Sequence, residues 1–200
     1  MRRDRSRAPA RRQPWRDAKP VILVVCEGEV TEPQYLNSLK GHLRNPRVSI
    51  KIEKAAGVPR TLVARAKQLR TDAERAGAPY DEVWCVFDRD EHPEWKHSID
   101  VAIAAGLSLA ISNACFELWI LLHVADSPGA QTRKELQRRV HRAGLQDKKH
   151  LRMEMLLPTY GLAVDRAKRM EERSGERGER FGDPSTSVSR LVRSIEGKPH

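Results

Sequence analysis

The sequence predicts an α/β protein: a parallel sheet of about four strands flanked by helices, with a helical layer supplied by the C-terminal third. Three observations lead there. Short Val/Ile-rich runs alternate with helical patterns from residue 20 to 125, which is the signature of a parallel sheet built by right-handed crossovers. Two of those runs are apolar on both faces, as strands covered on both sides must be. From Asp126 onward the texture changes to polar helices separated by loops.

The elements follow in order. PVILVVC (20–26) reads as a central strand. TEPQYLNSLKGHL (31–43) reads as a helix in which Thr31 is placed to cap, Pro33 suits the first turn, and Tyr35, Leu36, Leu39 and Leu43 share a face. RVSIKIEKA (47–55) alternates and reads as an edge strand. PRTLVARAKQLRTDAERAG (59–77) is an amphipathic helix stopped by Gly77. DEVWCVFD (81–88) is a second buried strand, 95–105 a helix, GLSLAISN (106–113) a fourth strand, and ACFELWILLHV (114–124) an apolar helix. Beyond them come a polar helix in PGAQTRKELQRRVHRAG, a short helix or extended arm in KKHLRMEMLLPTYG, a helix in LAVDRAKRMEER, a loop, and a last helix in STSVSRLVRSIEG. Three regions result: a disordered basic tail (1–19), an α/β core (20–125), and a helical extension packed on it (126–200).

The net charge is +10, and the first 19 residues carry eight Lys or Arg against two Asp. That tail suits either a phosphate-binding arm or a solubilising leader. No apolar stretch follows it as a signal peptide requires, and no window approaches the ~20 apolar residues of a membrane span. Aromatic residues are only 5%, which argues against recognition by base stacking. Cys26, Cys85 and Cys115 are far apart with no CxxC pair, so buried thiols in a cytoplasmic protein are expected rather than zinc.

The chemistry gathers where strands end. The first strand runs into Cys26-Glu27-Gly28-Glu29 with Glu32 close behind, and the third into Asp88-Arg89-Asp90. With the strand order 2-1-3-4, these strands are neighbours ~4.8 Å apart and open on the edge where ligands bind in such sheets. Glu27, Asp88 and Asp90 would then crowd one rim. Crowded carboxylates demand a counter-charge, either a basic side chain or a divalent cation. An all-oxygen set without His or Cys suits Mg²⁺ or Mn²⁺.

The blocks VVCEGEVTEPQY and VWCVFDRDEH resemble the Toprim pattern, in which a glutamate follows the first strand and a D-x-D the third. With ISNACFELWILLH (111–123) and DPSTSVSRLV (183–192), the chain resembles the RloB-like family over about residues 20–195. That group is Toprim-related and associated with restriction loci and abortive infection. The resemblance implies a Toprim-like, Rossmann-like sheet and a Mg²⁺-dependent nuclease or phosphodiesterase acting on DNA or RNA. It assigns Glu27 as acid/base or metal ligand and Asp88 and Asp90 as ligands. Glu32 is similar to a second acid of OLD-type nucleases, one residue displaced. The block usually carries proline where this chain has Ala114, so a local change of turn is expected.

Other residues enter as candidates. Glu117 sits at a helix start beside the rim and is a catalytic candidate or a dipole complement. Asn113, His92 and His123 are candidate substrate contacts, with core or loop roles as the alternatives. Lys148, Lys149, Arg152, Lys168 and Arg169 could line a phosphate path, and Pro184–Thr186 could bind phosphate through free N–H groups or cap the last helix. The rival to the nuclease reading is a non-catalytic nucleic-acid-binding or adaptor subunit of an AAA or ABC-type ATPase in a two-gene defence system. A small-nucleotide hydrolase is a further alternative. A homo-oligomer is compatible with the sequence, and no membrane partner is expected.

Overall fold

The computed structural model describes residues 20–45, 49–54, 58–89, 95–126, 128–148, 150–179 and 181–199. Four parallel strands form first: β1 (Val21–Cys26), β2 (Ser49–Lys54), β3 (Glu82–Asp88) and β4 (Ser108–Asn113). They lie in the expected order β2-β1-β3-β4. Between them run α1 (Thr31–Leu43), α2 (Pro59–Arg75) and α3 (Trp95–Ala104), and α4 (Glu117–Leu121) follows β4.

Strand alternation explains why β1 and β3 are apolar throughout. Ile22, Val24, Cys26, Trp84 and Val86 point to one face, where they meet Tyr35, Leu36 and Leu39 of α1. Leu23, Val25, Val83, Cys85 and Phe87 point to the other, where α2 supplies Leu62, Val63 and Ala66 and α3 supplies Ile99 and Ala102. Both faces are thus covered, as the period of 2 requires.

The C-terminal third adds α5 (Arg133–Arg142), a hairpin of β5 (Gln146–Asp147) and β6 (His150–Leu151), α6 (Met153–Leu156) with a 3-10 turn, α7 (Tyr160–Glu176), β7 (Ser185–Thr186) and α8 (Val188–Glu196). Leu136, Val140, Ala163, Ala167, Leu191 and Val192 join the same apolar cluster as α1 and α4. These helices therefore share one core with the sheet.

Four expectations need correction. A fifth strand exists: β7 pairs antiparallel with β4 through Ser112–Thr186 and Asn113–Ser185. Pro184–Thr186 consequently lies before the N-cap position, Ser187, although the Thr186 hydroxyl accepts the Val188 N–H at 3.5 Å. Ser187 itself makes no cap bond; its hydroxyl accepts the Ile111 N–H at 2.9 Å. Thr31 is the first residue of α1 and caps nothing, the preceding Val30 offering no side-chain oxygen. Finally, α4 is shorter than the apolar run. Residues 122–124 tighten into i→i−3 bonds from Leu122, His123 and Val124 to the carbonyls of Trp119, Ile120 and Leu121. The expected helix stops hold better: Gly77 has φ +69 just past α2, a conformation that costs glycine little.

Candidate functional site

Each acid reaches the carboxyl edge of the sheet by its own route. The Glu27 N–H bonds the Val86 carbonyl at 2.9 Å, continuing the parallel ladder one residue past β1. Its carboxylate accepts the Asp88 N–H at 3.3 Å. Asp88 ends β3 and continues the face of Trp84 and Val86 toward α4 and α5. Glu32 lies in the first turn of α1, where a carboxylate complements the helix N-terminus. Asp88 and Glu32 are each only 8% exposed. Gly28 makes that placement possible, because a Cβ there would overlap the Glu32 carboxyl group. Glu117 opens α4, half-buried, and accepts from Gln137 Nε2 at 3.4 Å.

The four carboxylates feel one another. Burial pushes the Asp88 pKa well above the ordinary aspartate range; Arg133 pulls it down, and Glu32, Glu117 and Glu27 push it up further. Burial likewise raises Glu32, with Glu117 adding to the shift while Arg133 and its own backbone N–H oppose it. Negative charge is therefore in excess at the rim.

Arg133 supplies the positive charge present. It opens α5, and its Nη1 lies 3.0 Å from Asp88 Oδ2. A capping box aims that helix: the Glu135 N–H meets the Thr132 hydroxyl while the Glu135 carboxylate takes the Thr132 N–H at 2.8 Å. Among the described residues, no three of the His, Cys, Asp and Glu side chains converge closely enough to hold a metal ion as they stand. Asp90 lies outside the described residues. The donors are nonetheless of the right chemistry for Mg²⁺ or Mn²⁺, being carboxylate oxygens only. The Arg133 guanidinium marks the position at which a cation sits against Asp88.

Beside the rim opens a cleft of about 970 Å³. One wall is acidic, formed by Gly28 to Glu32 and Glu117. The rest of the lining is basic, with Lys134, Arg138 and His141 of α5 and Lys148 of the hairpin. Sequence reasoning saw α5 only as polar. The signal was legible, since Thr132-x-x-Glu135 marks a helix start and positions 134, 138 and 141 then share a face.

The remaining candidates go elsewhere. Asn113 ends β4 on the opposite face from Asp88, and its amide donates to the Phe181 carbonyl at 3.1 Å. Arg89 donates to the same carbonyl, so Asn113 anchors the 181–187 segment and does not share a helical turn with Glu117. His123 is a core residue, 1% exposed. Its Nδ1 bonds the Leu156 carbonyl at 2.8 Å, and its ring meets those of Tyr35 and Trp119 edge-on. Burial lowers its pKa to about 4, so it is neutral at pH 7. Lys168 and Arg169 lie on α7 and pair with Glu172 and Asp126. His92, Lys149 and the tail 1–19 lie outside the described residues. The thiols are buried and hard to ionise: burial pushes Cys85 up to about 12, and Cys26 and Cys115 higher still.

Among the described residues no helix is long and apolar enough to cross a membrane. A search of curated proteins finds no match to the chain. The family model described as RloB-like protein matches residues 22–195. That span takes in β1 with its acidic turn, β3 with Asp88, the basic α5 and the β7–α8 segment. The chain belongs to the RloB-like protein family.

Proposed function

We propose that the chain is a Mg²⁺-dependent phosphodiesterase acting on nucleic acid, in keeping with the family's association with abortive infection. The observation that carries this reading is the cleft with one acidic and one basic wall. A phosphodiester is an anion whose hydrolysis needs both a cation and a proton acceptor beside it. Lys134, Arg138 and Lys148 would attract and orient the phosphates, an interaction that weakens as salt rises. Asp88, Glu27 and Glu32, with Asp90, would hold the cation. When bound, it supplies Lewis acidity and neutralises charge on the phosphate. Of Glu27, Glu32, Asp88 and Glu117, Glu27 and Glu117 are the more exposed. They are the residues suited to exchange protons with water and substrate at the rim. Glu27 also accepts the Asp88 N–H, which fixes its carboxylate for that task.

The test is cleavage of plasmid DNA, single-stranded DNA and RNA in Mg²⁺ or Mn²⁺. Wild type should cut at least one, and Asp88→Asn should lose at least ~100-fold in rate while remaining folded. Equal cleavage by the variant would overturn the assignment. A second reading is supported by the Arg133–Asp88 bridge: a non-catalytic nucleic-acid-binding subunit that serves a partner ATPase. It requires metal-independent binding and no turnover on any of these substrates.

A further inference from the structure

Arg133 sits where a metal-using site would place its cation. Its Nη1 touches the one rim acid that ends a central strand and is almost wholly buried. Yet its own side chain is 42% exposed, so water reaches it. It is the first residue of α5, and the next residue, Lys134, already lines the basic wall. A modest rotation of a long, flexible side chain separates the two environments. A divalent cation on the same carboxylate would lie within a few ångströms of the guanidinium, and like charges that close repel strongly.

We propose that Arg133 is an exchangeable counter-ion: it holds Asp88 in the absence of metal, gives it up when a divalent cation binds, and turns to the substrate phosphate in the cleft. This rests on the metal-site reading above. The exchange explains how four acids coexist at the rim of the metal-free protein. A planar fork of donors suits both roles, since it matches carboxylate and phosphate alike. Metal binding would thereby add a cation to the cleft wall at the moment it completes the site.

The experiment is calorimetric titration of Mn²⁺ into the full chain, wild type against Arg133→Gln, with Lys134→Gln as control. Arg133→Gln should bind Mn²⁺ roughly three- to fivefold tighter, because a competing partner of surface salt-bridge strength is gone. Lys134→Gln makes the same change of charge one residue away and should gain less than about twofold. Binding of a single-stranded oligonucleotide, measured in Ca²⁺, should move oppositely and weaken in Arg133→Gln by about threefold or more. Equal gains in the two variants, or no gain in Arg133→Gln, overturn the exchange. Tighter metal with unchanged oligonucleotide affinity overturns the turn toward phosphate. Absence of Mn²⁺ binding in all three proteins overturns the metal reading itself, a result distinct from the others. If Arg133→Gln does not fold, Arg133→Lys decides. It keeps the charge without the fork and should gain about twofold or more, and wild-type affinity in that variant refutes the proposal.

Discussion

Replacing Asp88 by asparagine should make the metal-free protein more stable at neutral pH. Two effects oppose each other. The substitution forfeits the Arg133 bridge, whose cation is 42% exposed; such a pair is worth about 1 kcal/mol at most. It also relieves a carboxylate that burial and three acidic neighbours hold well above its ordinary pKa. Every tenfold weakening of an acid in the folded state costs ~1.4 kcal/mol once the unfolded chain has ionised. The relief should prevail over so weak a bridge, so Asp88→Asn should unfold at a higher Tm than wild type at neutral pH. The pH dependence identifies the cause. With its folded pKa raised, native Asp88 keeps a proton that the unfolded chain releases above about pH 4. Wild-type stability from this group is therefore full below about pH 4 and declines as pH rises toward the folded pKa. Asparagine has no such decline, so its advantage should be absent near pH 4 and grow toward neutrality. Urea denaturation in chelator at several pH values measures it. If Asp88→Asn is less stable by ~1 kcal/mol or more at neutral pH with its circular dichroism unchanged, the bridge is a structural ion pair. The account of an over-charged rim is then wrong.

Two further predictions bear on the same architecture. Gly28→Ala should drive the Glu32 carboxyl from its place, costing about 1–3 kcal/mol and shrinking any rise in Tm on adding Mn²⁺; an unchanged Tm response would show that Glu32 plays no part in the site. His123 is a base whose folded pKa is lowered to about 4. The stability it contributes is complete above about pH 6.5 and is lost by up to ~3 kcal/mol as pH falls toward 4. His123→Gln should be less stable at neutral pH yet lose less on acidification, and parallel pH profiles for the two proteins would refute the buried-neutral assignment.

The parallel core was legible because its signals are local and repeated. β1 and β3 announce themselves as two-faced apolar runs, and a period of 2 then fixes which residues meet α1 and which meet α2. The strand order followed from connection rules, and with it the meeting of Glu27 and Asp88, which the 3.3 Å bond between them now measures. β7 was hidden for the opposite reason. Two residues, Ser185 and Thr186, carry no periodicity, and both are polar. They pair only because β4 offers an open edge, and a hydroxyl contact between Ser112 and Thr186 at 2.8 Å adds to the ladder. Asn113 and His123 misled for a related reason. α4 begins only at Glu117 and its regular turns end at Leu121. Asn113 therefore belongs to the strand, and His123 to the core beneath α6.

The counter-charge at the rim illustrates what one-dimensional reading leaves undecided. Crowded acids require either a basic side chain or a metal, and the sequence offers 37 candidates for the first. The selection of Arg133 depends on the docking of α5 against α4. Leu136 and Val140 bury the helix in the common core, while the capping box fixes where its first turn starts. Those two constraints set the rotation of the helix, so the same turn that delivers Arg133 to Asp88 also delivers Lys134, Arg138 and His141 to the cleft. The Arg133 bridge and the basic lining of the cleft are thus not independent features. They are two consequences of one helix packed at one angle, and a substitution in its buried stripe should disturb both together.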